Sequence, residues 1–297
     1  MFSTFSFVKT RRIWFAFSAL LIAASIAALA IYGLRLSIDF TGGSLLEVSF
    51  SGTVPASADI SATIAQAGFD GATVQAAGDQ RVIVRMESLT EDEHQTVLSG
   101  LRSAFGDVQE SRFDSIGPAI SGELRQSALV GVGVTLLLIG LYVAWAFRKV
   151  AEPVASWKYA LLTVLASAHD VIVPLGAFAV LGHFFHWEVG TAFIAAILTI
   201  LGYSISDTVV VFDRTRENLQ KHPSSTFAET VEKSIRQTFI RSLNTSVTTL
   251  LALIAIFVWG GETTRPFALA LIIGIAVGTY SSIFIASPAL VEWEGDK

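Results

Sequence analysis

The sequence predicts an α-helical polytopic membrane protein with six transmembrane helices and an α+β extracytoplasmic domain between helices 1 and 2. Three observations carry this reading. Hydrophobic residues make up 52% of the 297-residue chain and charged residues only 15%, where soluble domains carry about 25% charged. Six intervals (13–34, 126–147, 159–181, 189–212, 242–261 and 266–291) reach the roughly 20 residues that an apolar helix needs to cross a bilayer. Between the first two, apolar runs give way to the short alternations of a water-exposed domain.

Composition also excludes functions. The chain has no Cys, which removes disulfides, thiolate metal sites and Cys nucleophiles. A net charge of -5 argues against nucleic acid as a partner. The apolar excess makes the lipid bilayer the expected surroundings.

The first interval has a rival reading as a cleavable signal peptide, with Lys9, Arg11 and Arg12 before the apolar run and Ala28-Leu29-Ala30 near its end. The run exceeds the 7 to 15 residues of a typical signal core, so a retained anchor is expected. Orientation follows from the short-loop cations. With the N-terminus inside, Lys9, Arg11, Arg12, Arg148, Lys149, Lys158, Arg214, Arg216, Lys221, Lys233, Arg236, Arg241 and Lys297 are cytoplasmic, and Arg265 alone lies in a short outer loop. Both termini are therefore expected in the cytoplasm.

The expected organisation is an N-terminus and first helix over 1–34, an outer domain over 35–125, helices 2–6 over 126–291 and a cytoplasmic tail over 292–297. In the outer domain, 45–50, 72–76, 81–85 and 108–113 read as strands, with a turn at Gly78-Asp79. Residues 57–67 read as a helix. A second helix begins at the capping box of Thr90 and Glu93, shows Val97, Leu101 and Phe105 on one face, and ends at Gly106. Strand, helix, strand, strand, helix, strand is the split βαβ, ferredoxin-like order. Thirteen acids against six arginines suit a solvated surface. A further amphipathic helix near 226–240, capped by Thr226 and Glu229 with Phe227, Val231, Ile235 and Phe239 on one face, is expected at the cytoplasmic membrane interface, as a lid or a docking site.

Ionisable groups within spans are costly unless paired or facing a cavity, so they mark candidate functional residues. Asp207 lies about 8 Å inside the Phe212 end of its span, at 1.5 Å per residue. Tyr203 and Ser204 precede it by four and three residues, and the three are expected to converge on one side. Arg241 opens the fifth span and starts a polar stripe through Asn244, Thr245, Thr248 and Thr249. It reads as a snorkelling anchor or as the head of a buried, water-lined face. His169 and Asp170 sit deepest, as a proton relay or a structural hydrogen-bonding pair. Gly274, Gly278, Ser281 and Ser282 form a small-residue helix-packing face.

Desolvation favours a protonated Asp207 and a nearby guanidinium favours the carboxylate, so relative movement of Arg241 would capture or release a proton. One proton crossing 100 mV delivers about 2.3 kcal/mol. The expectation is proton flow through the bundle coupled to work outside the membrane.

Several runs together resemble the SecF family of the bacterial SecDF protein-export complex, related to resistance-nodulation-division transporters. They are Asp39-Phe40-Thr41-Gly42-Gly43, Ala168-His169-Asp170-Val171, the stretch from Gly202 through Tyr203, Ser204 and Asp207 to Arg214, Arg241 to Leu250, Gly260-Gly261 and Gly278-Thr279-Tyr280-Ser281-Ser282. The resemblance spans nearly the whole chain and departs at Ser206, where many relatives carry Asn. It implies six spans paired with six from SecD in the bacterial plasma membrane. The complex would use the proton motive force to pull exported polypeptide outward after SecA-driven insertion through SecYEG. It also implies that Asp207 and Arg241 lie on the proton path and that the outer domain is the family's periplasmic domain.

Two rivals remain at the level of sequence. A small-molecule exporter of the same superfamily would need to form homo-oligomers. An intramembrane aspartyl protease would use Asp170 and Asp207, but its motifs are missing. No metal cluster, phosphate-binding glycine loop or nucleophile-base pair is present, so no cofactor or enzymatic activity is expected.

Overall fold

The computed structural model describes residues 5–77, 80–148, 154–221, 224–261 and 263–295. Helix α1 (Arg11–Tyr32) is followed by a one-turn helix α2 (Ile38–Thr41) and then by β1 (Gly43–Phe50), α3 (Ser57–Gln66), β2 (Thr73–Ala76), β3 (Arg81–Met86), α4 (Glu91–Phe105) and β4 (Val108–Ile116). Five further helices complete the chain: α5 (Pro118–Ala146), α6 (Ser156–Phe185), α7 (Thr191–Lys221), α8 (Phe227–Trp259) and α9 (Arg265–Ser281), the last running through a π-helical turn (Ser282–Ala286) into α10 (Ser287–Glu294). The chain divides into two compact units, Leu36–Ala128 and the residues on either side of it.

In the smaller unit the sheet order is β2-β3-β1-β4 with every pair antiparallel, as the split βαβ order predicts. Alternation sends Leu46, Val48 and Phe50 of β1 and Val82, Val84 and Met86 of β3 to one face. There they meet Ile60 and Ile64 of α3 and Val97, Leu98 and Leu101 of α4. The pairing of β1 with β4 shifts between Glu47 and Val48, so Glu110 stands opposite Val48 and shares its inner face. That bulge brings Glu110 to the buried His94 of α4, which stacks on Phe113 with ring centroids 3.7 Å apart. The Gly78-Asp79 turn lies outside the described residues.

The larger unit is a helical bundle. Among the described residues six helices are long and apolar enough to cross a membrane, α9 and α10 counting as one continuous rod. One end is closed by a core of Phe147, Tyr159, Phe212, Phe227, Val231, Ile235 and Leu290. This core takes in the apolar row of the segment near 226–240, which packs on the bundle as a lid would, and corrects only the expectation that the segment is a separate helix. Residues 227–259 form one uninterrupted helix of 33 residues, because nothing in the sequence breaks it. The apolar row of its first half finds protein partners in the bundle and so has no need of lipid. The Thr226–Glu229 cap is present, with the Thr226 hydroxyl accepting from the Glu229 N–H at 3.2 Å.

Candidate functional site

Helix α7 carries Tyr203, Ser204, Asp207 and Thr208, and the structure separates them into two groups. Successive residues turn by 100°, so the 203/207 row and the 204/208 row face different neighbours. This corrects the expected convergence of Tyr203, Ser204 and Asp207. Tyr203 donates its hydroxyl toward Thr249 at 3.4 Å and Ser246 at 3.5 Å, both on α8. Ser204 points the other way and donates to Asp170 Oδ2 of α6 at 2.5 Å.

Asp170 is fully buried and anchors a polar network across four helices. Its Oδ1 lies 2.8 Å from His169 Nδ1, and its Oδ2 accepts from Ser281 of α9 at 2.8 Å as well as from Ser204. His169 Nε2 continues to the Tyr280 hydroxyl at 2.7 Å, and Tyr280 to Ser18 of α1 at 3.0 Å. Beside this cluster Thr208 and Ser282 share a hydrogen bond of 2.8 Å. A Cβ on Gly278 would come within 2.9 Å of Ser204 Cβ and 3.3 Å of Asp170 Oδ2, and one on Gly274 would overlap Ile200. The Gly274–Gly278–Ser281–Ser282 row thus packs α9 on α7 and also supplies, through Ser281, one donor to Asp170.

The opposite face of α7 is less complete. Asp207 is buried, its carboxyl interacts with Ser242, Ser246 and the charge of Arg241 on α8, and yet its Oδ2 closes no hydrogen bond. The Ser242 hydroxyl is likewise buried and unpaired. No salt bridge joins Asp207 to Arg241 among the described residues. Asp170 and Asp207 have no partner in common, so the dyad that a protease would need is not formed.

The polar stripe of α8 departs from one of its two readings, the buried face. Arg241, Asn244, Thr245 and Thr248 are exposed on the outside of this chain rather than buried in it. Thr245 and Thr248 satisfy their hydroxyls on carbonyls one turn earlier, at 2.9 Å each. The buried polar row of α8 runs at every fourth residue through Thr230, Ser234, Thr238, Ser242 and Ser246, of which Ser242 and Ser246 lie beside Asp207. Sequence reasoning missed this pair, together with Ser18, Thr208 and Tyr280. Spacing alone held a signal for the pair, since Ser242, Ser246 and Thr249 recur at i, i+4 and i+7.

The Asp39–Gly43 run forms a rigid joint into β1. Ser37 accepts the Asp39 N–H at 3.2 Å, Phe40 is buried, and Arg125 donates to the Phe40 carbonyl at 3.1 Å. Thr41 donates back to the Ser37 carbonyl at 3.1 Å. Gly42 and Gly43 have φ of 74° and 113°, and a Cβ on Gly43 would lie 2.6 Å from the Met86 carbonyl oxygen. Only glycine fits there.

The family model "Protein export membrane protein SecD/SecF, C-terminal" matches residues 96–296, and the "SecD/SecF GG Motif" matches 27–54, across that joint. The chain belongs to the SecF family of protein translocase subunits. It is 40% identical to the protein translocase subunit SecF of Thermobaculum terrenum, over 97% of this chain and 93% of that one. It is 38% identical to the protein translocase subunit SecDF of Brucella abortus, over 97% of this chain but 37% of that one. The crystal structure of a Thermus SecDF, a translocon-associated membrane protein, superposes with a TM-score of 0.81 at 36% identity. The match covers 97% of this chain and 38% of that SecDF chain. SecF-type membership gives the chain a transport role as a multi-pass membrane protein.

Proposed function

We propose that this chain is the SecF half of a proton-driven export machine in the bacterial inner membrane, with both termini cytoplasmic and residues 35–125 outside. Asp207 carries the proposal. A buried carboxylate with one oxygen unpaired, beside hydroxyls and within the field of Arg241, is poised to bind a proton and release it when the guanidinium moves. Protonation converts the carboxylate to a neutral acid, so the local charge that α8 meets changes by one unit. In this reading Tyr203, Asn244, Thr245 and Thr248 line the route, and His169 and Asp170 hold the helices that frame it.

The partner is SecD. An exposed stripe of Arg241, Asn244, Thr245 and Thr248 on a membrane helix calls for cover by protein, and some relatives carry SecD and SecF in one chain. Together they draw exported polypeptide outward from the SecYEG channel after SecA has inserted it. The work is transport rather than catalysis.

Export in inverted vesicles carrying Asp207→Asn tests this directly, with membrane insertion and SecD association measured alongside. The expected result is loss of proton-driven export with assembly intact. Unchanged export overturns the proton-path role. A stable homo-oligomer that transports small molecules without SecD would favour the exporter reading instead.

A further inference from the structure

We propose that Asp170 is a positioning residue for Asp207, acting through Ser204 to fix the rotation of α7; the inference rests on the proton-path reading above. Asp207 can change its distance to Arg241 in two ways, by rotation of α7 or by displacement of α8. The structure weights the two very unequally.

Rotation of α7 must break the bond from Ser204 to Asp170 and the bond between Thr208 and Ser282, at 2.5 and 2.8 Å. Asp170 is itself immobilised. Both its oxygens are occupied, no part of it is exposed, and its bonds reach α6, α7 and α9. Through His169 and Tyr280 the same cluster holds α1. Pro174, four residues on in α6, has no N–H to give the Asp170 carbonyl, so the network sits at a break in the backbone ladder of its own helix. Gly278 leaves the space that allows Ser204 and Asp170 to meet.

Beside Asp207 the α8 contacts are weaker, although α8 is held to α7 lower down by Asn218, which donates to Ser234 and Gln237 at 2.9 Å, and to α9 by Thr279, which donates to Ser246 at 2.7 Å. Tyr203 reaches Ser246 and Thr249 only at 3.5 and 3.4 Å, and Asp207 Oδ2 and Ser242 Oγ are unpaired. A change of charge at Asp207 is therefore met first by the unpaired Ser242 on the facing side of α8, while Ser204 keeps α7 in register with α6 and α9. The ionisable groups around this part of α7 are Arg241 from α8, His169 and Asp170 from α6, and Tyr280 from α9. Glu292 and Glu294 of α10 are paired with Arg11 and Lys158.

The test is the protonation of Asp207 in the SecD-containing complex, followed by the infrared carboxyl band that Asp207→Asn removes, with the pH profile of export measured in parallel. Ser204→Ala cuts the link while leaving the His169–Asp170 pair. It is expected to move the Asp207 midpoint by at least about half a pH unit, a roughly threefold change in proton affinity. Asp170→Ala should move it in the same sense, and Asp170→Asn, which keeps an acceptor for Ser204, should restore most of it. Asp170→Ala protein that fails to assemble leaves Ser204→Ala as the deciding variant. A midpoint unmoved in Ser204→Ala, with Asp207→Asn still abolishing export, overturns the positioning role alone. An Asp207 that does not titrate, or export indifferent to Asp207→Asn, overturns the proton-path reading and this inference with it.

Discussion

The two faces of α7 are built from similar residues and end in opposite states. On one, Ser204 and Thr208 enter a network in which Asp170, His169, Ser281 and Tyr280 all have partners between 2.5 and 2.8 Å. On the other, Tyr203 and Asp207 meet hydroxyls on α8 through long bonds or none. A buried polar group that is fully paired rigidifies its surroundings, and one left unpaired costs free energy that a change of state can recover. The difference teaches that a membrane carboxylate is not functional by burial alone; Asp170 is the more buried of the two, and the less free to change.

Stability should report this contrast most strongly. Asp170→Ala strands His169 and two serines in the interior and is expected to cost about 3–5 kcal/mol, the range for removing one member of a buried charged network. Asp207→Ala removes a group whose Oδ2 has no partner and should change stability by under about 1 kcal/mol in either direction. Thermal unfolding of the purified full-length complex measures both. Equal losses would erase the distinction between the faces.

A smaller effect comes from two glycines. Gly278→Ala pushes a methyl to 2.9 Å from Ser204 Cβ, and overpacking of that kind typically costs about 1–3 kcal/mol. Gly202→Ala in α7 meets no atom within 4 Å and should be neutral, or stabilising by up to about 1 kcal/mol through helix propensity. The pair sharpens the comparison because the chemical change is identical. A cost at Gly202 equal to that at Gly278 would show that backbone freedom, and not the space beside Ser204, governs both.

Much of this was legible before the structure. Four charge-free intervals and two interrupted only by His169, Asp170 and Asp207 located the six helices, and alternation located the four strands, because both signals are local. Asp207, Arg241, His169 and Asp170 stood out because charge is rare in lipid. What the sequence withheld was direction. Ser204 is 60° from Asp207 on the helix, near enough to suggest a shared face, yet which neighbour it meets depends on where α6 and α8 lie. The distant partners of Asp170 come from positions 204 and 281 and that of His169 from position 280, and no local pattern joins residues so far apart. The stripe on α8 stayed open between an anchor and a buried face for the same reason: periodicity defines a face without saying what covers it.

The smallest expected effect lies in the water-exposed domain, where the same bonding logic works without burial. Glu93 accepts from the Thr90 N–H at 2.7 Å and from its hydroxyl at 2.8 Å, which holds its carboxyl below the usual value of 4.5. A carboxylate held low stabilises the fold fully above that value and loses its contribution as pH falls through 4.5 and past the lowered folded value. The protection factors of the α4 amides, corrected for the intrinsic pH dependence of exchange, should therefore fall as the pH drops through 4.5 in the intact protein. Thr90→Ala removes the hydroxyl donor, costs about 0.5–2 kcal/mol as a lost cap, and should flatten that pH response. A cap that is exposed to solvent can be replaced by water, so the loss stays modest, whereas Asp170 is fully buried and the whole desolvation cost remains. If Thr90→Ala proved as damaging as Asp170→Ala, burial would not be what separates a cap from a clamp.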